Sequence, residues 1–125
     1  MILGVGIDSV TISVVERFLD NPEYAKDIFT QTEEELAERQ SDRIDFFAGR
    51  YAAKSAVWKS VDHLINGKLE KVDIEVLEFE DGAPYVHIAG RLKDLLKGTG
   101  VNDFRVSITT EGDTASAIVV AQRKL

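Results

Sequence analysis

The order of patterns along this sequence predicts an α+β fold, a small antiparallel sheet with a long central helix. Three observations support this: an apolar N-terminal segment, a helical pattern over residues 43–64, and strand-like segments after residue 71. Runs of helices followed by runs of strands are typical of α+β proteins. The chain of 125 residues has the length of one domain, which we assign to residues 1–125.

The N-terminal segment predicts a strand and then a helix. Residues 1–10 are apolar and include two glycines, so we expect a buried strand that ends at Asp8. Apolar residues recur at helical spacing over 11–19, and the Asn-Pro pair at 21–22 breaks this helix.

Two overlapping capping boxes start the next helix, which we expect to end near Gln40. Thr30 pairs with Glu33, and Thr32 pairs with Glu35. Acidic residues suit a helix N-terminus, so capping and a solvated face explain this acidic run.

The longest helix is expected over residues 43–64. Ser41 or Asp42 caps its start, and the Asn-Gly pair at 66–67 ends it. The rest of the chain predicts four strands with one helix inserted: a hairpin of 72–76 and 84–88, a helix over 90–97, and a hairpin of 104–109 and 115–121.

Composition and charge limit the functional classes. The chain has no cysteine, which excludes a disulfide framework and a thiolate metal site. Its net charge of −7 argues against nonspecific binding to nucleic acid, because phosphates repel an acidic surface. The first residues lack a basic leader, and no apolar run approaches the ~20 residues of a membrane span. We therefore expect a cytoplasmic protein with no membrane partner.

Residues 46–60 (FFAGRYAAKSAVWKS) carry the most informative pattern. Arg50 and Lys54 lie four apart and share a helix face, while Lys59 follows Ser55 by four on a neighbouring face. Four alanines allow close approach of another backbone or a ligand. The pattern predicts a core helix that presents cations to an anion. The alternative is that these cations are solvated and their stems cover apolar neighbours.

Several other residues could support chemistry. Asp8, beside glycines that admit a ligand, could hold Mg²⁺, or it could cap the following helix. His63 and His87 lack partners at a metal-binding spacing, and we expect a helix-terminal and a partly buried structural role. Ser107 and Thr110 offer hydroxyls, but no His or Lys base is adjacent, so Ser-His-Asp catalysis is not indicated.

Taken together, five segments resemble the holo-acyl-carrier-protein synthases, which are small trimeric phosphopantetheinyl transferases. They are GVGIDSV (4–10), DIFTQTEEEL (27–36), FFAGRYAAKSAVWKS (46–60), DGAPYV (81–86) and VSITTEGDTASAIVV (106–120). The resemblance implies a phosphopantetheinyl transferase-like fold and a homotrimer with active sites between subunits. It also implies Mg²⁺-dependent transfer of phosphopantetheine from coenzyme A to a serine of acyl carrier protein, a reaction of fatty acid biosynthesis.

The same resemblance implies roles for particular residues. Asp8 matches the family's first metal-binding aspartate, and Asp8 and Lys59 are the expected catalytic residues. The residues expected to bind coenzyme A are Arg50, Lys54, Pro84, Tyr85, Ser107 and Thr110.

The sequence departs from the family pattern at residues that the resemblance assigns to the reaction. Ser55 stands where a second metal-binding, base-activating glutamate belongs, so it is a weak metal ligand, and Thr110 replaces a histidine. Val14, Asp27 and Gln31 stand where basic residues would meet the acidic carrier protein. Three hypotheses remain open: a working transferase, a catalytically degenerate paralogue that keeps the fold and binds coenzyme A or a carrier protein, and an unrelated small binding domain.

Overall fold

The computed structural model describes all 125 residues and has the α+β architecture that the sequence predicts. Strand β1 (Ile2–Thr11) leads into the helices α1 (Ile12–Leu19), α2 (Pro22–Lys26), α3 (Gln31–Glu38) and α4 (Arg43–Val61). A 3₁₀ turn (Lys71–Asp73) precedes β2 (Ile74–Glu78) and β3 (Pro84–Ile88). Helix α5 (Gly90–Leu96) then precedes β4 (Asp103–Glu111) and β5 (Thr114–Gln122). None of the helices combines the length and apolar character needed to cross a bilayer.

The strands form two antiparallel sheets. In the larger sheet the order is β1-β5-β4, and β2 pairs only with β3. The register places Asp8 opposite Ala117, which in turn lies opposite Ile108. β1 and β4 are therefore the two edges of the larger sheet, and two strand spacings, roughly 10 Å, separate them.

Helix α4 packs on one face of the larger sheet, which we call its inner face, and glycines make this contact close. A Cβ atom at Gly4 would overlap the carbonyl oxygen of Ser60, and one at Gly6 would overlap that of Ala56. Only residues without side chains fit there. The expectation that these glycines admit a ligand beside Asp8 is wrong, because the backbone of α4 occupies the space.

Two apolar cores form around α4. The C-terminal half of the helix packs with β2, β5 and α5 in a core that includes Val57, Ile74 and Val119. Its N-terminal turns pack with α1 and α3 in a second core that includes Val15 and Phe47. As the alanine-rich pattern predicts, the helix is buried along most of its length.

The observed bounds of β1 and α4 differ from those expected. β1 continues past Asp8 to Thr11, and only Gly6 in it is buried, because nothing covers the outer face of this strand. Helix α4 is capped by Asp42, one of the two expected residues, and ends at Val61, well before the Asn-Gly pair.

The capping of α3 is simpler than expected. The Thr30–Glu33 capping box is present, whereas Thr32 lies inside the first turn and caps nothing. The helix ends at Glu38, two residues earlier than expected. Val72 belongs to the 3₁₀ turn instead of the following strand.

Candidate active site

The candidate site begins with an ion pair between β1 and α4. The Nζ atom of Lys59 lies 3.1 Å from Oδ1 of Asp8. Strand β1 runs antiparallel to α4, since Gly4 contacts Ser60 and Gly6 contacts Ala56. Asp8, further along the strand, therefore lies beside a helical turn that precedes Lys59. Lys59 reaches back to it, since helical side chains lean toward the helix N-terminus.

This ion pair is open to solvent. The side chains of Lys59 and Asp8 are 52% and 25% exposed, respectively. An exposed pair of this kind contributes at most about 1 kcal/mol to stability. Both charges therefore remain available to a ligand that approaches from solvent.

The residues present fit a magnesium ion that arrives with a phosphorylated substrate. Ser55 lies four residues before Lys59, on the same helix face, and is half-buried. Nowhere does the fold bring together three or more Asp, Glu, His or Cys side chains as potential metal ligands. However, Mg²⁺ is often held by one or two carboxylates together with substrate phosphates and water. Asp8 would supply the charged ligand and Ser55 a neutral one.

Arg50 lies on another face of α4, against β2. Its Nε donates to the carbonyl of Val76 at 3.2 Å, and its guanidinium lies 3.9 Å above the ring of Phe46. The buried Nη2 atom has no hydrogen-bond partner, although Oε2 of Glu78 lies 3.8 Å away. Burial lowers the pKa of Arg50, and the negative charge of Glu78 opposes that shift. The two N–H groups on this buried Nη2 atom are thus left without a hydrogen-bond partner.

Lys54 shares that face of α4, as its spacing from Arg50 predicts, but its ammonium group is fully buried. It donates to Oε1 of Glu33 at 2.7 Å, to the carbonyl of Lys71 at 3.2 Å, and to the carbonyl of Ile74. These acceptors use all three N–H donors of the ammonium group. Burial lowers the pKa of Lys54, and Glu33 opposes this shift. Within one chain, no phosphate can reach this charge.

Glu33 is the residue that sequence reasoning missed. Its carboxylate is fully buried and accepts hydrogen bonds from Lys54, from the Thr30 amide at 3.0 Å and from the Val76 amide at 2.9 Å. Capping therefore explains only part of its role, and a solvated face is wrong for this residue. It joins α3, α4 and β2 through one buried ion pair. No local pattern links Glu33 to a lysine 21 residues later.

Two expected coenzyme A residues lie at the other edge of the sheet. Ser107 and Thr110 belong to β4 and are exposed. Strand β5 lies between them and Asp8. One chain by itself therefore does not bring Ser107 and Thr110 to the Asp8–Lys59 pair.

A cavity of about 700 Å³ opens between β3, α5 and β4, and it contains the other two expected residues. Pro84 and Tyr85 line it, and the Tyr85 ring stacks on Phe79 with centroids 4.5 Å apart. Lys93 and Lys97 add positive charge to a mainly apolar lining, whereas Arg105 is paired there with Asp103. Small-molecule sites commonly have this character. The Asp8–Lys59 pair does not line this cavity.

The two histidines serve local contacts. A ring nitrogen of His63 lies 3.0 Å from the Leu3 carbonyl, just past the end of α4. His87 pairs with Glu75 at 3.1 Å, and its side chain is 58% exposed, more than the partly buried position expected.

Part of the outer face of the larger sheet, turned away from α4, carries exposed apolar side chains. Val5, Ile7 and Ile118 are 54%, 64% and 44% exposed. Ile7 lies directly opposite Ile118, so these side chains form one patch. Apolar patches on a protein surface are candidate interaction sites.

Comparison with known proteins defines the class. The family model described as the 4'-phosphopantetheinyl transferase superfamily matches residues 4–118. A holo-acyl-carrier-protein synthase of Maridesulfovibrio salexigens is 32% identical over 125 residues, covering 98% of this chain and 100% of the relative. The crystal structure of the synthase from Neisseria meningitidis superposes with a TM-score of 0.86 at 28% identity, covering 98% of this chain and 100% of that one.

A second similar structure was solved with a ligand. It is the coenzyme A complex of the synthase from Chronobacterium ammoniagenes, with a TM-score of 0.82, 28% identity and 98% coverage of both chains. The chain described here belongs to the holo-acyl-carrier-protein synthase family of phosphopantetheinyl transferases.

Proposed function

We propose that this chain transfers 4'-phosphopantetheine from coenzyme A to a serine hydroxyl of an acyl carrier protein. The serine oxygen attacks the phosphorus atom that carries pantetheine, and the P–O bond to the departing 3',5'-ADP breaks. The serine proton leaves to a base or to water. The observation that supports this function is the exposed Asp8–Lys59 pair at 3.1 Å, held on a rigid strand and helix.

Lys59 is proposed to stabilise negative charge on the diphosphate. A fixed cation aimed at charge that develops in the transition state contributes to catalysis without reorganisation. Magnesium bound with the substrate would add positive charge to the transferring phosphoryl group. Asp8, with Ser55 as a weak second ligand, would hold that ion.

Proton removal is the weak point of this site. A neutral serine hydroxyl at position 55 cannot act as a general base near neutral pH. General-base catalysis typically contributes about 10²–10⁴-fold in rate. We therefore expect slow transfer in which water accepts the serine proton.

The remaining coenzyme A contacts are proposed to come from a neighbouring subunit of a homotrimer. Ser107 and Thr110 lie across the sheet from Asp8, so a second copy is needed to place them at the same substrate. The patch of Val5, Ile7 and Ile118 offers an apolar surface that such an assembly would bury. Light scattering should give three times 13.9 kDa, and Ile7→Glu should give monomers.

Within the proposed scheme, the cavity beside Pro84 and Tyr85 would receive part of coenzyme A. Arg50 would contribute its positive charge to the binding of coenzyme A. Lys54 would support that binding indirectly, by fixing α4 against β2 and α3. A cytoplasmic location and a role in fatty acid biosynthesis complete the proposal.

Mass spectrometry of a carrier protein tests the function directly. Purified chain, coenzyme A, Mg²⁺ and apo carrier protein from the same source should yield a carrier heavier by one phosphopantetheine. Asp8→Ala should abolish the gain, and Ser55→Glu should increase its rate.

A degenerate paralogue that binds coenzyme A without transfer is the second candidate. The neutral side chains of Ser55 and Thr110 favour it, because neither supplies a base. An unmodified carrier in the same assay, together with measurable binding of coenzyme A, would select this alternative over the transferase.

A further inference from the structure

We propose that this chain binds a divalent cation only together with the diphosphate of coenzyme A, and that Lys59 holds the Asp8 carboxylate until both arrive. The inference rests on the proposed function and adds an order of assembly to that site.

The free chain offers a poor cation site. Asp8 is its charged ligand, and the ammonium group of Lys59, 3.1 Å away, already neutralises that charge. Ser55, on the same face as Lys59, contributes a hydroxyl without charge. No cluster of three or more carboxylates, imidazoles or thiolates is present. A hard, strongly hydrated ion such as Mg²⁺ gains little by exchanging water for this set.

A diphosphate changes this balance. Its negative oxygens attract the Lys59 ammonium, which sits on a flexible and half-exposed side chain. Since an exposed ion pair contributes at most about 1 kcal/mol, Lys59 leaves Asp8 at little cost. The freed carboxylate and the phosphate oxygens then form one anionic ligand set for the cation.

This exchange makes the two ligands thermodynamically coupled. If coenzyme A raises the affinity for the cation by some factor, the cation must raise the affinity for coenzyme A by the same factor. Couplings of this kind typically amount to about 5- to 150-fold. A second carboxylate at position 55 would weaken the coupling, because the cation would then have two charged ligands before substrate binds.

The experiment measures binding without turnover. Mn²⁺ replaces Mg²⁺ as the probe, and electron paramagnetic resonance reports free Mn²⁺ in solutions of the full chain, with and without coenzyme A and without carrier protein. Coenzyme A with Mn²⁺ alone gives the background. Calorimetry of coenzyme A, with and without Mg²⁺, measures the reciprocal effect.

Three variants separate the causes. Ser55→Glu should bind Mn²⁺ without coenzyme A, and Asp8→Asn should lose the binding that depends on coenzyme A. Ser41→Glu, on an exposed residue of the turn before α4, adds the same charge elsewhere and should behave as the wild type. Thermal melting verifies that each variant is folded.

The outcomes separate this inference from the proposed function. Wild-type chain that binds Mn²⁺ equally well with and without coenzyme A would overturn the coupling alone. A folded Ser55→Glu variant that gains no Mn²⁺ binding would also overturn it, since the missing charge would not be limiting. Failure of coenzyme A to bind at all would overturn the proposed function and the coupling with it.

Discussion

Helix α4 carries two lysines, Lys54 and Lys59, that lie five residues apart and have opposite surroundings. Lys54 is fully buried, and Glu33 and two carbonyls take all its donors. Lys59 is half-exposed and has Asp8 as its single partner. One face of the helix therefore carries a structural cation, and another face carries a cation that a ligand can reach.

The difference shows that a cation's partners, not its place in a motif, decide what it can do. A buried, fully bonded ammonium group cannot release its acceptors without leaving a carboxylate unpaired in the core, which is costly. An exposed ammonium group exchanges partners easily. The same residue type on the same helix thus supports either folding or ligand binding.

The largest expected effect is on stability, at the buried face. Lys54→Met should lower the free energy of unfolding by about 3–5 kcal/mol, because Glu33 is left as an uncompensated buried charge. Urea denaturation measures this. Adding Glu33→Gln to Lys54→Met should lose less than Lys54→Met alone. A loss below about 1 kcal/mol in Lys54→Met would remove the distinction between the two faces.

Lys59→Met should reduce activity and leave stability nearly unchanged, in contrast to Lys54→Met. Transfer to the carrier protein should slow by roughly 10²–10³-fold, as is typical when one charge-stabilising group is removed. Its urea midpoint should change little, since the exposed pair contributes at most about 1 kcal/mol. Steady-state kinetics and denaturation of the same preparation provide both numbers. Full activity in this variant would contradict the role of Lys59.

Gly6→Ala tests whether the close packing of β1 against α4 positions Asp8 beside Lys59. The added methyl group overlaps the carbonyl of Ala56, so β1 must move away from α4. Overpacking of this kind costs about 1–3 kcal/mol. We also expect reduced activity, because Asp8 is two residues along the same strand. An unchanged urea midpoint would mean that the contact is looser than the structure shows.

The smallest effect is expected at a carboxylate away from α4. The hydrogen bond from Gln122, 2.7 Å long, holds the pKa of Asp103 below its usual value of 3.8, and Arg105 adds to this effect. A lowered pKa in the folded state stabilises the fold above the usual value, and this contribution is lost as pH falls through the folded value.

Asp103→Asn should therefore lower the urea midpoint slightly at neutral pH, where the wild type has the full contribution, and flatten the acid side of the stability profile, so that the two proteins converge as pH falls. Urea midpoints measured from neutral pH to below about pH 3 would detect this. Equal acid dependence in variant and wild type would exclude Asp103 as the cause.

Local sequence patterns predicted much of the fold. The Thr30–Glu33 capping box, the Asp42 cap and the hairpin strand 84–88 appear in the structure as expected. These features depend on near neighbours in sequence. The predicted ends of β1 and α4 were wrong: pairing with β5 continues β1 as far as Thr11, and α4 ends at Val61.

The candidate site, like the fold, was predicted only in part from the sequence. Spacing alone determined that Arg50 and Lys54 share a helix face, because the helical period is a local property. The sequence also determined the fold class and, through five matching segments, the family. Only the tertiary structure decided that Glu33 takes Lys54 into the core and that Asp8 receives Lys59. Those pairings join residues 21 and 51 positions apart, and long-range contacts depend on how whole elements pack.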